Sequence, residues 1–405
     1  MAGETIAEKL TPRGLERRIK RHLTSPHHTF AAITTPGFES IAMGEISKLE
    51  GAAVKGCENG IVEFSGPFDL LYRANLSLRT VNRIILRIDE LTARSYPELY
   101  NKFRRIRWDL YVGFSTTVSF VVSSRSSRLH HTDHIARTAF CSCADTMATF
   151  GVNLTESGNS DLKFHIRFLG DRCTLSIDTT GMLLYKRGYR QAVGRAPLRE
   201  TSAAALLIAA SWERYHTIVD FCCGSGSIVL EALQMACSRA PGLDRSFPFS
   251  GWPSFNAPLW NRMKKEAFAA VTESRVSRFL AMDIESSALD MVRLNCPQGD
   301  TGGTVLMEQG DCCTFNSSGQ YGNSGLIISN LPFGKRVGAG EEGTAVFYRK
   351  LGHNLKKSCR GWNFGFLVAD SRFERLSGLS CSTALTFSNG GIRVRFVTGR
   401  VEPDG

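Results

Sequence analysis

The sequence predicts an α/β protein: a Rossmann-like, doubly wound sheet that closes in a C-terminal antiparallel hairpin and is preceded by smaller α+β units. Three observations lead there. Ile218-Val219-Asp220-Phe221 is an apolar strand that breaks into Cys222-Cys223-Gly224-Ser225-Gly226-Ser227 and then a helix, Ile228 to Cys237, the strand-turn-helix opening of an open α/β sheet. Arg278 to Met282, Thr304 to Glu308, Leu326 to Ser329 and Phe364 to Val368 are further short apolar runs separated by helix-length stretches, the spacing of parallel strands joined by crossovers. Leu385 to Val397, interrupted by Asn389-Gly390-Gly391, has the turn chemistry of a hairpin and so reverses the last strand.

A chain of 405 residues suggests two or three separately packed units. Residues 1–28 are polar and basic and end in Ser25-Pro26-His27-His28, with Leu10, Leu15, Ile19 and Leu23 at helical spacing at best. They are expected to be a mobile arm or a loosely docked helix that can touch phosphates. Residues 29–90 alternate between strand and helix patterns: Phe30 to Thr34, a helix from Phe38 to Leu49, Ile61 to Phe64, a helix from Phe68 to Leu78, and Val81 to Ile88. Residues 91–185 carry a helix near Tyr96 to Ile106, a strand at Thr116 to Ser123, a helix from about Thr132 to Thr149, and strands at Leu162 to Leu169 and Arg172 to Asp178. Both stretches read as α+β units. Residues 186–405 open on the basic connector Lys186-Arg187-Gly188-Tyr189-Arg190, pass Pro197 into an apolar helix up to about Ala210, and then hold the doubly wound sheet. The gap between Gly226 and Asp283 is longer than that sheet needs, which implies an insertion over about 240–267.

With 49 Lys and Arg against 38 Asp and Glu, the net charge of +11 favours a polyanionic partner through counterion release, so nucleic acid is the first partner to consider. No apolar stretch approaches the roughly 20 residues that cross a bilayer. The N-terminus mixes Glu4, Glu8 and Glu16 with Arg13, Arg17 and Arg18 and lacks an apolar core, so it does not read as a secretory signal, and a cytoplasmic protein is expected. Twelve cysteines are scattered without the C-x2-C spacing of zinc sites, which points to reduced, buried thiols and to no metal. His130, His131 and His134 form a histidine cluster that is expected to be a helix entrance capped by Thr132.

The glycine turn is the candidate cofactor site. Gly224 and Gly226 would let backbone approach an adenosyl ligand, and Asp220 at the strand end can bind a cationic amino group. The turn lacks both the phosphate-loop pattern and the third glycine of a dinucleotide fingerprint, so the cofactor has no pyrophosphate to cradle. Asp283 ends the next strand, where a carboxylate can take both ribose hydroxyls; Asp311 closes the third and either accepts from the adenine amine or is a solvated turn aspartate.

Ser329-Asn330-Leu331-Pro332-Phe333-Gly334 follows another apolar strand and should emerge beside that cofactor. An exocyclic ring amine is a poor nucleophile because its lone pair is delocalised. A catalyst must accept its N–H groups and aim the lone pair, which the Asn330 side-chain oxygen and the Leu331 carbonyl can do, while Phe333 offers a face for a flipped base.

At this point the sequence resembles bacterial large-subunit ribosomal RNA guanine-N2 methyltransferases that carry a THUMP domain. Leu71 to Arg79 looks like their ferredoxin-like N-terminal unit; Ser126 to Asp133 and Leu175 to Gly181 are similar to their THUMP domain, an RNA-binding module; Lys186 to Gln191 and Ala196-Pro-Leu-Arg-Glu200 resemble the approach to their methyltransferase domain; and Ala240 to Leu243, Phe249 to Trp252 and Leu259-Trp260 resemble their insertion. The resemblance implies S-adenosylmethionine as cofactor, with Cys222, Ile284 and Thr201 beside it as well as Asp220, Gly224, Gly226, Asp283 and Asp311, and Asn330, Leu331, Pro332 and Phe333 as the catalytic loop. It implies a monomer acting on 23S ribosomal RNA. Phe221, Ser227, Leu331 and Phe333 depart from the usual family residues, and the loop is similar to that of THUMP-containing transfer RNA methyltransferases, so transfer RNA is a second substrate class. A non-catalytic RNA-binding or ribosome-assembly protein and a DNA adenine-N6 methyltransferase are readings from other classes.

Overall fold

The computed structural model describes residues 12–24, 27–114, 116–192, 194, 198–272, 276, 278–296, 304–317, 321–332 and 340–402. Two sheets organise them.

The N-terminal sheet has eight strands in the order β2-β3-β1-β4-β8-β7-β5-β6: β1 His28–Thr34, β2 Ala53–Glu58, β3 Ile61–Gly66, β4 Val81–Thr92, β5 Thr117–Arg125, β6 Thr155–Glu156, β7 Leu162–Leu169 and β8 Arg172–Asp178. The stretches that read separately in the sequence meet where β4 pairs antiparallel with β8, Leu86 opposite Ile177. Helices α1 Pro12–Leu23, α2 Glu39–Ile46, α3 Leu70–Ser77, α4 Tyr96–Phe103 and α5 Thr132–Ala148 accompany this sheet, over a core that includes Phe30, Phe64, Trp108 and Phe164. Ser95 caps α4 by accepting the Glu98 N–H.

Two expectations for this half need correction. The first concerns α1, which is seated rather than loose: Arg18 is buried against Asp109 at 3.3 Å, and Ile19 and Leu23 pack on the core. Residues 1–11 lie outside the described residues. The second concerns Thr132, which is the first residue of α5 and not its cap; His131 holds that position without a side-chain cap bond.

The C-terminal sheet has seven strands in the order β11-β10-β9-β12-β13-β15-β14: β9 Thr217–Asp220, β10 Arg278–Asp283, β11 Val305–Gln309, β12 Leu326–Asn330, β13 Asn363–Val368, β14 Ser382–Asn389 and β15 Ile392–Arg400. β9 to β13 are parallel, and β15 runs antiparallel between β13 and β14, as the hairpin predicts. Its two-residue turn places Gly390 and Gly391 at φ +59° and +83°, angles that side chains resist. The sheet is flanked by α6 Glu200–Ala209, α7 Ser227–Ala236, α9 Ser286–Asn295, α10 Gly340–Ser358 and α11 Phe373–Ser377.

The insertion, with helix α8 Ala257–Ala269, packs into the N-terminal core. Phe249, Trp252 and Trp260 join Tyr72 and Tyr111 in edge-on and tilted ring contacts, and Phe247 stacks on Phe249. Gly242 donates its N–H to the Leu76 carbonyl at 2.9 Å, so close that a Cβ there would overlap the Asn75 carbonyl oxygen. A second joint is ionic: Glu231 on α7 accepts from Arg187 of the connector at 3.1 Å and from Arg79 of the N-terminal half at 3.3 Å, all nearly excluded from water.

Candidate functional site

A parallel sheet leaves its strand carboxyl ends facing one side, and here they open on a cleft of about 1650 Å³. Asp220 ends β9, Asp283 ends β10, Asn330 ends β12, and Asp311 follows β11 by two residues. All four line the cleft, together with Cys222, Gly224, Ile284 and Pro332.

The carboxylates are held by short local bonds. Asp283 accepts the Gly224 N–H at 2.9 Å on one oxygen and the Glu285 N–H at 3.1 Å on the other, each oxygen keeping further lone-pair capacity. Ser329 donates its hydroxyl to Asp220 at 2.6 Å and accepts the Cys222 N–H at 2.9 Å, which ties the glycine turn to β12. Burial raises the Asp220 carboxyl to about 7, against the lowering effect of the Ser329 and Cys222 hydrogen bonds, and the neighbouring Asp283 charge adds to the rise. Asp311 is exposed, and its carboxylate takes the Cys313 N–H at 2.8 Å, so it shapes the turn as well as facing the cleft.

The two glycines divide the work. Gly224 sits at φ +52° with open space where a Cβ would project, on the cleft wall. Gly226, at φ +84°, is the cap residue just before α7, and a Cβ there would press on Val292 at 3.1 Å and Leu230 at 3.2 Å. It serves the packing of α7 on α9 and, unlike Gly224, is not among the residues lining the cleft. Thr201 is likewise elsewhere: it is fully buried and donates its hydroxyl to Asn82 of the N-terminal half at 2.9 Å. Leu331 points its side chain into the core beneath β12, while Phe333, Ala196 and Pro197 lie outside the described residues.

Asn330 carries an unusual signal. Its side-chain oxygen is buried on the cleft wall without a hydrogen-bond partner among the described residues. An unmet buried acceptor costs about 1–3 kcal/mol, a cost that an N–H donor entering the cleft would remove.

Among the described residues, Asp311, Cys312 and Cys313 bring candidate metal-ligand atoms within 4.8 Å of one another. Contacts of Cys312 with the Cys222 thiol, and of Cys313 with the Cys312 thiol, followed by burial, push the thiols of Cys312 and Cys313 far up, so both stay protonated. No described cysteine forms a disulfide; Cys57 and Cys141 are exposed rather than buried.

Sequence reasoning missed the part of the lining that comes from α10. Glu342, Gly343, Val346, Phe347 and Lys350 of α10 line the cleft, a stripe whose spacing reads as an ordinary amphipathic helix until the sheet is assembled.

Three carboxylates at strand ends, with a glycine turn open toward them, fit an adenosyl ligand bearing a cationic tail. Residues 187–396 match the family model described as the RMKL-like methyltransferase domain. The chain belongs to that methyltransferase family. Residues 29–85 of this RMKL-like methyltransferase match a second model, the RlmL ferredoxin-like domain. A protein of Synechocystis sp., slr0064, provisionally named an RNA methyltransferase, is 30% identical over 376 residues, covering 90% of this chain and 96% of that one. The ribosomal RNA large subunit methyltransferase K/L of Methylococcus capsulatus is 28% identical over 387 residues, 93% of this chain but 51% of that protein. The chain thus spans about half the length of its K/L relatives. The crystal structure of SMU.472, provisionally a methyltransferase and complexed with SAH, superposes with a TM-score of 0.82 at 25% identity, covering 94% of this RMKL-like chain and 100% of that one.

Proposed function

We propose that this protein transfers a methyl group from S-adenosylmethionine to the exocyclic N2 of a guanine in structured RNA, with 23S ribosomal RNA as the substrate and the cytoplasm as its place of action. Family membership supports methyl transfer, the relatives' names support RNA, and the SAH held by the neighbouring structure supports the cofactor. The observation that carries the choice of an amine acceptor is the Asn330 oxygen on the cleft wall, which has no hydrogen-bond partner among the described residues.

S-adenosylmethionine, when bound, supplies an electrophilic methyl group on a sulfonium. Asp220 would hold its amino group, Asp283 its ribose hydroxyls, and Gly224, Ile284 and Asp311 the remaining adenosyl surface, all of which face the cleft. Asn330 accepts one N–H of the target amine and fixes its orientation, and the Leu331 carbonyl takes the second. Pro332 favours an extended backbone at Leu331, the residue before it. Ser329 does not touch substrate; it holds Asp220 and the Cys222 amide in place from beneath. The amine sheds its proton once alkylated, so no ionised base is needed. The eight-stranded half, including the THUMP-like stretch, would grip the RNA through shape and phosphate.

The test combines transfer and mapping. Asn330→Ala should lower methyl transfer by about 10²- to 10³-fold, the usual effect of losing one such polar contact, while S-adenosylmethionine binding measured by calorimetry is kept. Nucleoside mass spectrometry of the methylated RNA should show N2-methylguanosine. Undiminished transfer by the variant, or a product on adenine N6, overturns the reading; product in transfer RNA alone would move the substrate class.

A further inference from the structure

The cleft is larger than one small ligand needs, and its charges are unevenly placed. Small-molecule sites run to roughly 300–1,000 Å³, whereas this cleft holds about 1650 Å³. Its lining carboxylates, Asp220, Asp283, Glu285, Asp311 and Glu342, would repel a phosphate, and those at the strand ends would be engaged by the cofactor. Among the described lining residues one cation faces this room, Lys350 on α10. One turn earlier stand Phe347, packed in part against the core and half-buried, and Val346, 41% exposed, which leave apolar surface on the cleft; the other face of α10 buries Tyr348, Leu351 and Leu355 in the core, so the helix cannot rotate to hide them. Positions 343, 346, 347 and 350 fall on one stripe by helical spacing. Glu342 lies eight residues before Lys350, about 12 Å along the axis at 1.5 Å per residue, so it leaves the ammonium free to meet an anion.

We infer that this stripe of α10 is the acceptor-nucleotide subsite: Phe347 and Val346 pack against the target base, and Lys350 pairs with a phosphate of the same strand. The inference rests on the proposed reaction and adds to it the residues that would seat the nucleotide. Base stacking on an aromatic ring is sequence-tolerant and phosphate contact positions the strand, so selection of the base is left to the Asn330 loop.

The experiment uses the full chain and large-subunit ribosomal RNA transcribed in vitro. Lys350→Ala should raise KM for RNA several-fold and reduce the slope of log affinity against log salt by about one, with Lys350→Arg restoring both. Phe347→Ala should lower kcat/KM for RNA by roughly 10- to 100-fold, with Phe347→Tyr close to wild type. SAH affinity by calorimetry should be unchanged in every variant. Unchanged RNA kinetics in Phe347→Ala, an unchanged salt slope in Lys350→Ala, or a loss matched by lost SAH affinity overturns the subsite. Asn330→Ala run alongside separates the two readings: if it is inactive while the α10 variants behave as wild type, the subsite falls and the reaction stands. If the wild type transfers nothing, the reaction falls, and filter binding of the same RNA in SAH still decides whether Lys350 and Phe347 contact it, unchanged binding counting against them.

Discussion

Asp220 is almost wholly excluded from water, and the loss of hydration raises its carboxyl to about 7, well above the ordinary aspartate range. Because the native group holds its proton more tightly than the unfolded one, its contribution to stability is complete below about pH 4 and is lost as pH rises through about 7. The ionised form that would attract a cationic amino group grows over the same interval. Affinity for S-adenosylmethionine should therefore rise roughly tenfold between pH 5.5 and 7, where an α-amino group stays charged; calorimetry across that range checks it, and Asp220→Asn should flatten the profile. A flat wild-type profile would contradict the assignment. The glycines make a second residue-scale prediction. Gly226→Ala combines a left-handed φ with pressure on Val292 and should lower stability by about 1–3 kcal/mol in thermal denaturation. Gly224→Ala, with open space around its Cβ, should lose less stability and instead weaken cofactor binding. Strand-end carboxylates are legible in sequence because their position relative to the apolar run sets their direction. Thr201 was not, since its partner Asn82 is 119 residues away, and neither was Lys350, whose neighbours across the cleft come from other strands.

At the scale of elements, the long alternating strands could be read directly, and β7 and β8 follow their sequence patterns. β2 could not, because Ala53–Glu58 is an edge strand exposed along nearly its whole length and has no apolar face to reveal it. The docking of α1 was equally hidden: its anchor is an arginine, a residue that reads as surface unless the buried Asp109 is known to wait for it. Where α1 meets the body, His22 and His28 touch edge-on beside Phe68 and Tyr111. Burial lowers His22 to about 4, with the neighbouring His28 and Arg107 charges adding to the fall and Asp109 opposing it, and burial lowers His28 despite its bond to the His22 carbonyl. A histidine whose native pKa is depressed stabilises the fold above its unfolded pKa of 6.5 and loses that contribution as pH falls toward 4. Hydrogen exchange at α1 amides, corrected for intrinsic rate, should therefore quicken between pH 6.5 and 4.5, and His22→Phe should suppress the change. Equal protection throughout the range would show that the helix is held without the histidine pair.

For the molecule as a whole, the question is whether its two halves behave as one body. The insertion leaves the methyltransferase sheet after α7, crosses to the other core, seats four aromatic rings against α3 and its surroundings, and returns to β10. Glu231 adds an ionic joint from the same helix α7 to Arg79 and Arg187. Such a connection holds the eight-stranded half at a set orientation to the cleft, which a bound RNA would need if its grip on one half is to present a nucleotide to the other. Trp260 is one such link, 5% exposed and in ring contact with Tyr72, Phe247 and Phe249. Truncating a buried tryptophan costs about 3–5 kcal/mol, and here the loss falls on the N-terminal core although the residue belongs to the methyltransferase segment. Calorimetry should therefore show one unfolding transition for the wild type and two for Trp260→Ala, the eight-stranded half melting first and the cofactor half near the wild-type temperature, where S-adenosylmethionine still raises it. A single transition shifted downward as one would mean that the ionic joint at Glu231 suffices to couple the halves, and that the aromatic insertion contributes stability without carrying the connection.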